Sequence, residues 1–200
     1  MKWVGLTGSI GSGKSSVGEI LRRRGYPVVS ADALAREAVQ KGSPILETIV
    51  EEFGAQALSP EGDLDRQTLA ELVFSQPKEL QKLEALIHPE VRRLSRERRQ
   101  SLEKQGHEMA FYDVPLLFEK NLAGDFDFVA VVMAPRDQQI ERVQRRDGLS
   151  FQQIEARLNV QLEDAKKAER ADFVLFNDKD FDHLESQVEA LVLSLQRAQE

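Results

Sequence analysis

Gly8-Ser9-Ile10-Gly11-Ser12-Gly13-Lys14-Ser15 fits the pattern G-x-x-x-x-G-K-S/T at every fixed position, and it stands between a short apolar run, Trp3 to Thr7, and a helical pattern. The chemistry asks for these residue types. Glycines let the backbone turn tightly enough for its N–H groups to point at phosphate oxygens, and the helix that follows adds its positive N-terminal end. Lys14 is suited to neutralise β- and γ-phosphates, and the Ser15 hydroxyl to ligate Mg²⁺. At average glycine usage, a chance match somewhere in 200 residues has odds of about one in a hundred, before the strand-helix context is counted. The stretch therefore predicts nucleoside triphosphate binding. Kinases, ATPases and GTPases all share it, so the rest of the chain has to choose among them.

Working outward, Trp3–Thr7, Pro27–Ser30, Met109–Val114, Phe126–Met133 and Asp172–Phe176 are short β-branched or aromatic runs separated by long helical patterns. This alternation predicts an α/β chain of the P-loop NTPase class: a five-stranded parallel sheet with helices on both faces. Between Asp32 and Gln105 the sequence shows only helical segments. Ser43-Pro44 predicts an N-cap with proline at the first helical position, and Ser75 with Pro77 repeats the device before a helix ending around Ile87. A helical insertion is thus expected at about 32–106. A second helical block, about 136–170 and rich in arginine, falls between the fourth and fifth strands, leaving 1–31, 107–135 and 171–200 as a nucleotide core. The last helix, from about His183, places Leu184, Val188, Leu191, Val192 and Leu195 on one core-covering face.

Composition narrows the possible functions. With no cysteine, the chain has no disulfide, thiolate metal site or cysteine nucleophile. His88, His107 and His183 stand too far apart for a helical zinc pair. A net charge of -7, from 34 acidic and 27 basic residues, is the wrong sign for general electrostatic binding of nucleic acid, so an anionic ligand needs a locally built positive site. No apolar run approaches the roughly 18 residues of a membrane helix. A strand beginning by Trp3 leaves little space for a leader, and a cytoplasmic location is expected.

A GTPase switch should carry D-x-x-G and N-K-x-D; the first is missing, and Asn177-Asp178-Lys179-Asp180 has its lysine displaced. Arg142, Arg145, Arg146 and Arg157 instead suggest a mobile cover that closes on phosphates and excludes water, as a small-molecule kinase requires, although a charge run of this kind also suits a solvated helix face. Asp32 directly follows the second strand, at the carboxyl edge where parallel α/β sheets bind ligands. It reads either as a base beside an acceptor hydroxyl or as a helix cap. Asp113 ends the third strand and suits Mg²⁺ binding, directly or through water, or a turn. His88 precedes a proline, which predicts a local helix boundary and leaves its imidazole either structural or facing an acceptor cleft. Arg92, Arg96 and Arg99 share one helical face, best read as solvated.

Taken together, the motifs resemble the dephospho-coenzyme A kinase family. The residues that carry the resemblance are Gly5 through Ser15, Ser30-Ala31-Asp32, Leu83-Glu84-Ala85-Leu86-Ile87-His88-Pro89, Asp113-Val114-Pro115-Leu116-Leu117-Phe118-Glu119, Gln139 with Arg142 and Arg146-Asp147, Arg157 with Gln161, and Ala171-Asp172 through Asn177. The family has aspartate where Ser30 stands and often a glycine after Asn177. The resemblance implies ATP-dependent phosphorylation of the ribose 3′-hydroxyl of dephospho-CoA, with a CoA-binding insertion and a lid. It implies Asp32, Lys14 and Arg142 as catalytic residues, and ATP held by Gly8, Gly11, Ser12, Gly13, Lys14, Ser15, Ser16, Arg142 and Asn177. Acceptor binding falls to Asp32, His88, Asp113 and Arg146, and Mg²⁺ to Ser15. The expected partners are these two substrates, with no nucleic acid or membrane, on a monomer or weak homo-oligomer.

Overall fold

The run that precedes the phosphate loop becomes β1, Lys2–Thr7, the central member of a parallel five-stranded sheet ordered β2-β3-β1-β4-β5. The computed structural model describes residues 1–74 and 76–198; Ser75, and with it the cap expected there, lies outside the described residues. β2 is Val28–Ser30, β3 Met109–Asp113, β4 Phe128–Met133 and β5 Phe173–Phe176. Leu6 pairs with Asp113 on one side of β1 and with Ala130 on the other, so the phosphate loop leaves the sheet between the ends of β3 and β4. β4 begins two residues later than the apolar run suggests. The Asp127 carboxylate accepts the Trp3 N–H at 2.7 Å and ends the ladder with a side chain rather than a backbone carbonyl.

Two compact units follow from the packing: Met1–Val29 with Leu102–Glu200, and Ser30–Ser101. In the first, alternation along β1 sends Val4 and Leu6 to one face of the sheet. There they pack with Val17, Ile20 and Leu21 of α1 (Lys14–Arg23) and with Leu184, Val188, Leu191, Val192 and Leu195 of α9 (Phe181–Arg197). On the other face Trp3 stacks on Tyr112, and Gly5 lies against Leu117 and Phe126. Between β4 and β5 run α6 (Arg136–Asp147), α7 (Phe151–Asn159) and α8 (Asp164–Arg170). α7 opens on a capping box in which Ser150 and Gln153 exchange bonds, and Val143, Ile154 and Leu158 form a small core with Ile10 of the loop against it.

The second unit is helical: α2 (Ala31–Ala38), α3 (Pro44–Phe53), α4 (Arg66–Phe74) and α5, which starts at Pro77 and runs on to Lys104. Its core gathers Ala38, Val39, Ile49, Ala57, Leu69 and Val73. Ser43 caps α3 through a bond from Leu46 N–H, with Pro44 at the first helical position as expected. Asp65 caps α4: its Oδ1 accepts the Gln67 and Thr68 N–H groups, and the Thr68 bonds hold its carboxyl below the usual carboxylate range.

One expectation is overturned. The helix does not end around Ile87, and His88-Pro89 is no boundary, because α5 continues through Pro89 for 28 residues. Leu83, Leu86, Ile87, Val91 and Leu94 lie on both sides of the proline at 3.6-residue spacing, and all pack on the same core. A shared apolar stripe outweighs the hydrogen bond that proline removes.

Candidate active site

The phosphate loop is shaped from several directions at once. Gly11 and Gly13 both take left-handed backbone angles, φ 77° and 97°, and neither has space for a side chain. A Cβ on Gly11 would fall 2.5 Å from the Gln139 carbonyl oxygen of α6, and one on Gly13 would strike the side-chain nitrogen of Asn177. Lys14 folds across the loop and donates to the Gly8 carbonyl at 2.8 Å. The Ser12 N–H closes a turn onto the Ser9 carbonyl, whereas the N–H groups of Gly11, Gly13 and Ser15 make no hydrogen bond among the described residues. Those amides sit at the N-terminus of α1, where the helix dipole favours an anion.

Arg142 is the arginine of the helical block that reaches the loop. Its guanidinium donates to the carbonyls of Asn177 at 2.9 Å and Gly11 at 3.5 Å, and to the Gln138 side chain at 2.8 Å. Asn177, buried just past β5, donates from Nδ2 to the Ser12 carbonyl at 3.0 Å. Arg142 and Asn177, expected at the nucleotide, thus meet at the rim of the phosphate loop. Arg145 and Arg146 do not join them; both are exposed. Arg145 pairs with Glu141, and Arg146 makes two bonds to Asp147, at 2.7 and 2.8 Å. Those bonds hold the Asp147 carboxyl below its usual range and Arg146 more firmly protonated.

Asp113 is half-buried at the end of β3, next to the strand that delivers the loop. Ser15 is exposed at the start of α1, and Ser16 follows within it. The chemistry of this donor set suits Mg²⁺: hard oxygen donors at one sheet edge, beside a loop built for phosphates. Among the described residues no group of three or more Asp, Glu or His side chains is placed to hold a metal ion.

In the helical unit, Ser30 caps α2 by accepting the Ala33 N–H. That takes the capping role away from Asp32, which lies exposed in the first helical turn with no hydrogen-bond or ion-pair partner among the described residues. His88 is half-buried midway along α5, and Arg92 and Arg96 are exposed.

A second layer escaped the sequence reading. Ser9, Asp164, Lys167 and Glu119 form a polar cluster behind the loop, joined by Gln139, whose amide donates to Asp164 and to the Ala134 carbonyl, both at 2.8 Å. A cavity of about 370 Å³ opens beside it, with Ser9, Gln139, Gln161 and Asp164 in its wall. The charged run around Lys167 gives no local sign of burial.

Comparison with known proteins supplies an independent finding. The dephospho-CoA kinase family model matches residues 2–183. A curated dephospho-CoA kinase of Anaeromyxobacter dehalogenans is 52% identical over 88% of this chain and 84% of its own length. Among solved structures, TT1252 from Thermus thermophilus superposes with a TM-score of 0.84 at 40% identity over 97% of each chain. Dephospho-CoA kinase from Campylobacter jejuni gives 0.75 at 28%, covering 99% of this chain and 98% of that one. No helix among the described residues is long and apolar enough to cross a membrane.

Proposed function

The chain belongs to the dephospho-CoA kinase family, and we propose that it transfers the γ-phosphoryl group of ATP to the ribose 3′-hydroxyl of dephospho-CoA, giving coenzyme A and ADP. The observation that carries the reading is the phosphate loop with Arg142 and Asn177 strapped to its rim. The loop amides and Lys14 hold the β- and γ-phosphates and offset charge as the γ-phosphorus parts from the bridging oxygen. Arg142 exchanges carbonyl partners for phosphate oxygens, a stronger charge-assisted bond. Ser15, with Asp113 directly or through water, would hold a Mg²⁺ ion, which when bound would further neutralise the phosphates. Asp32 accepts the proton of the 3′-hydroxyl as that oxygen bonds to phosphorus; its exposed carboxylate is not committed to a cap.

Acceptor recognition falls to the helical unit, 30–101, through His88 with Asp32, and to Asp113 and Arg146 in the first unit. Arg146 has to leave Asp147 to take part. The block 136–170 serves as the cover that keeps water from the phosphates. The reaction is placed in the cytoplasm, on a monomer or weak homo-oligomer. Coupled ADP release with and without dephospho-CoA tests the proposal: release should depend on that acceptor. Equal release without it would mark a hydrolase, and release with other alcohols alone a different kinase.

A further inference from the structure

A buried ammonium group behind an anion site requires an explanation. Lys167 on α8 is fully buried, and its Nζ donates to Ser9 Oγ at 2.8 Å and pairs with Glu119 Oε1 at 3.2 Å. Ser9 is the second residue of the phosphate loop. Its hydroxyl also bonds Asp164 Oδ1 at 2.5 Å. Since an ammonium only donates and a hydroxyl has one proton, that proton goes to Asp164 while Ser9 accepts from Lys167. The hydroxyl's one proton is thereby committed, so it has none to donate to a phosphate oxygen and serves as a handle on the loop. One residue on, the Ile10 N–H is taken at 3.1 Å by Gln161, in the turn that leads to α8. Residues 9 and 10 are therefore tied down from outside, while Gly11, Gly13 and Ser15 keep their amides for an anion.

We propose that Lys167 is a positioning residue for ATP binding, holding Ser9 so that the phosphate-facing amides keep their arrangement before the nucleotide arrives. This rests on the kinase reading above. Charge bookkeeping supports an active rather than a filler role. Asp164 and Glu119 place two carboxylates behind a site meant for a polyanion, and Glu119 Oε2 is buried with no hydrogen-bond partner among the described residues. Lys167 is the cation that touches both Ser9 and Glu119. A hydrophobic residue of similar length would fill the space and do neither.

Binding of Mg·ATP, measured by calorimetry on the whole chain, tests this independently of turnover. Ser9→Ala removes the handle and leaves the buried charges paired; it should raise the Kd for Mg·ATP at least fivefold, with the KM for dephospho-CoA within twofold of the parent. Lys167→Met combined with Glu119→Gln, which avoids stranding a buried carboxylate, should do the same. Lys167→Arg, able to donate to both partners, should recover part of the loss. If Lys167→Met/Glu119→Gln does not fold, Ser9→Ala decides. A folded variant with lower Tm but a Kd for Mg·ATP within twofold of the parent shows a purely structural role and overturns the proposal. Failure of the parent itself to bind Mg·ATP would instead sink the kinase reading.

Discussion

Asp32 is the residue on which the assignment of chemistry turns, and the structure separates its two possible uses. A helix cap must lie just outside the helix with its side chain on the N–H of the second or third residue, and Ser30 occupies that place. Asp32 sits inside the first turn, where a negative charge gains from the dipole at modest value and leaves both carboxylate oxygens open. Asp32→Asn keeps the size and the helical position and removes the proton acceptor. ATP binding and Tm should stay close to the parent while kcat falls by 10² to 10⁴, roughly 3 to 5.5 kcal/mol of barrier. The lower end of that range is the better guide, because a loose phosphoryl-transfer transition state leaves much of the catalysis to positioning. A kcat within threefold of the parent at saturating substrates would remove Asp32 from the role of base. Because aspartate caps a helix as well as serine does, Ser30→Asp should keep the α2 cap and leave Tm close to the parent.

At the scale of elements, α5 shows how tertiary packing overrides a local rule. Pro89 has no N–H, so the Ala85 carbonyl loses its helical partner, at a cost of about 3 kcal/mol relative to alanine in a helix interior. Pro89→Ala should therefore raise the urea midpoint without changing the slope, by a stability gain of up to about 3 kcal/mol. An unchanged midpoint would mean that the Ala85 carbonyl is already satisfied elsewhere. The five strands were legible because apolar runs such as Phe128–Met133 announce burial on both faces, whereas their order in the sheet is set by pairings such as Leu6 with Asp113 and Ala130, which no single run carries. The continuation of α5 was not, because proline is a local signal and the stripe that defeats it forms only when Leu83 and Leu94 meet one core. Asp164–Arg170 falls in the expected helical block, but the burial of Lys167 within it was illegible for a related reason. Its sequence, DAKKAER, has the composition of a solvated helix, and nothing within it reveals that Lys167 meets Ser9 and Glu119, residues 158 and 48 positions away. Arg142 and Arg146 lie one turn apart on the same helix, yet only Arg142 reaches the loop. Motif spacing does not separate them; the Asp147 carboxylate does.

For the whole molecule, the consequential fact is that the apolar interior is divided. Val4, Leu6, Phe111 and Val132 belong to the core beneath the sheet, whereas Ile49, Ala57, Leu69 and Val73 belong to the helical unit, 30–101. Cores that share no residue open with their own free energies, and a ligand stabilises only the unit whose native form it binds. A ligand at 100 times its Kd contributes about 2.7 kcal/mol, which slows exchange of amides that depend on that opening by roughly 100-fold. Hydrogen exchange on the intact chain therefore distinguishes the two halves of the proposed reaction. Mg·ATP alone should slow exchange across β1, β4, α1 and the loop residues 8–15, and leave Ile49, Leu69 and Val73 close to their unliganded rates. Dephospho-CoA alone should slow exchange within residues 30–101, most strongly along α2 and α5, and in the first unit around Asp113 and Arg146, the two residues there assigned to the acceptor. The assignment of the acceptor to the helical unit fails if dephospho-CoA leaves residues 30–101 unprotected. The independence of the two cores fails if Mg·ATP protects Ile49 and Val4 to the same degree, since equal protection requires one opening event for the whole chain.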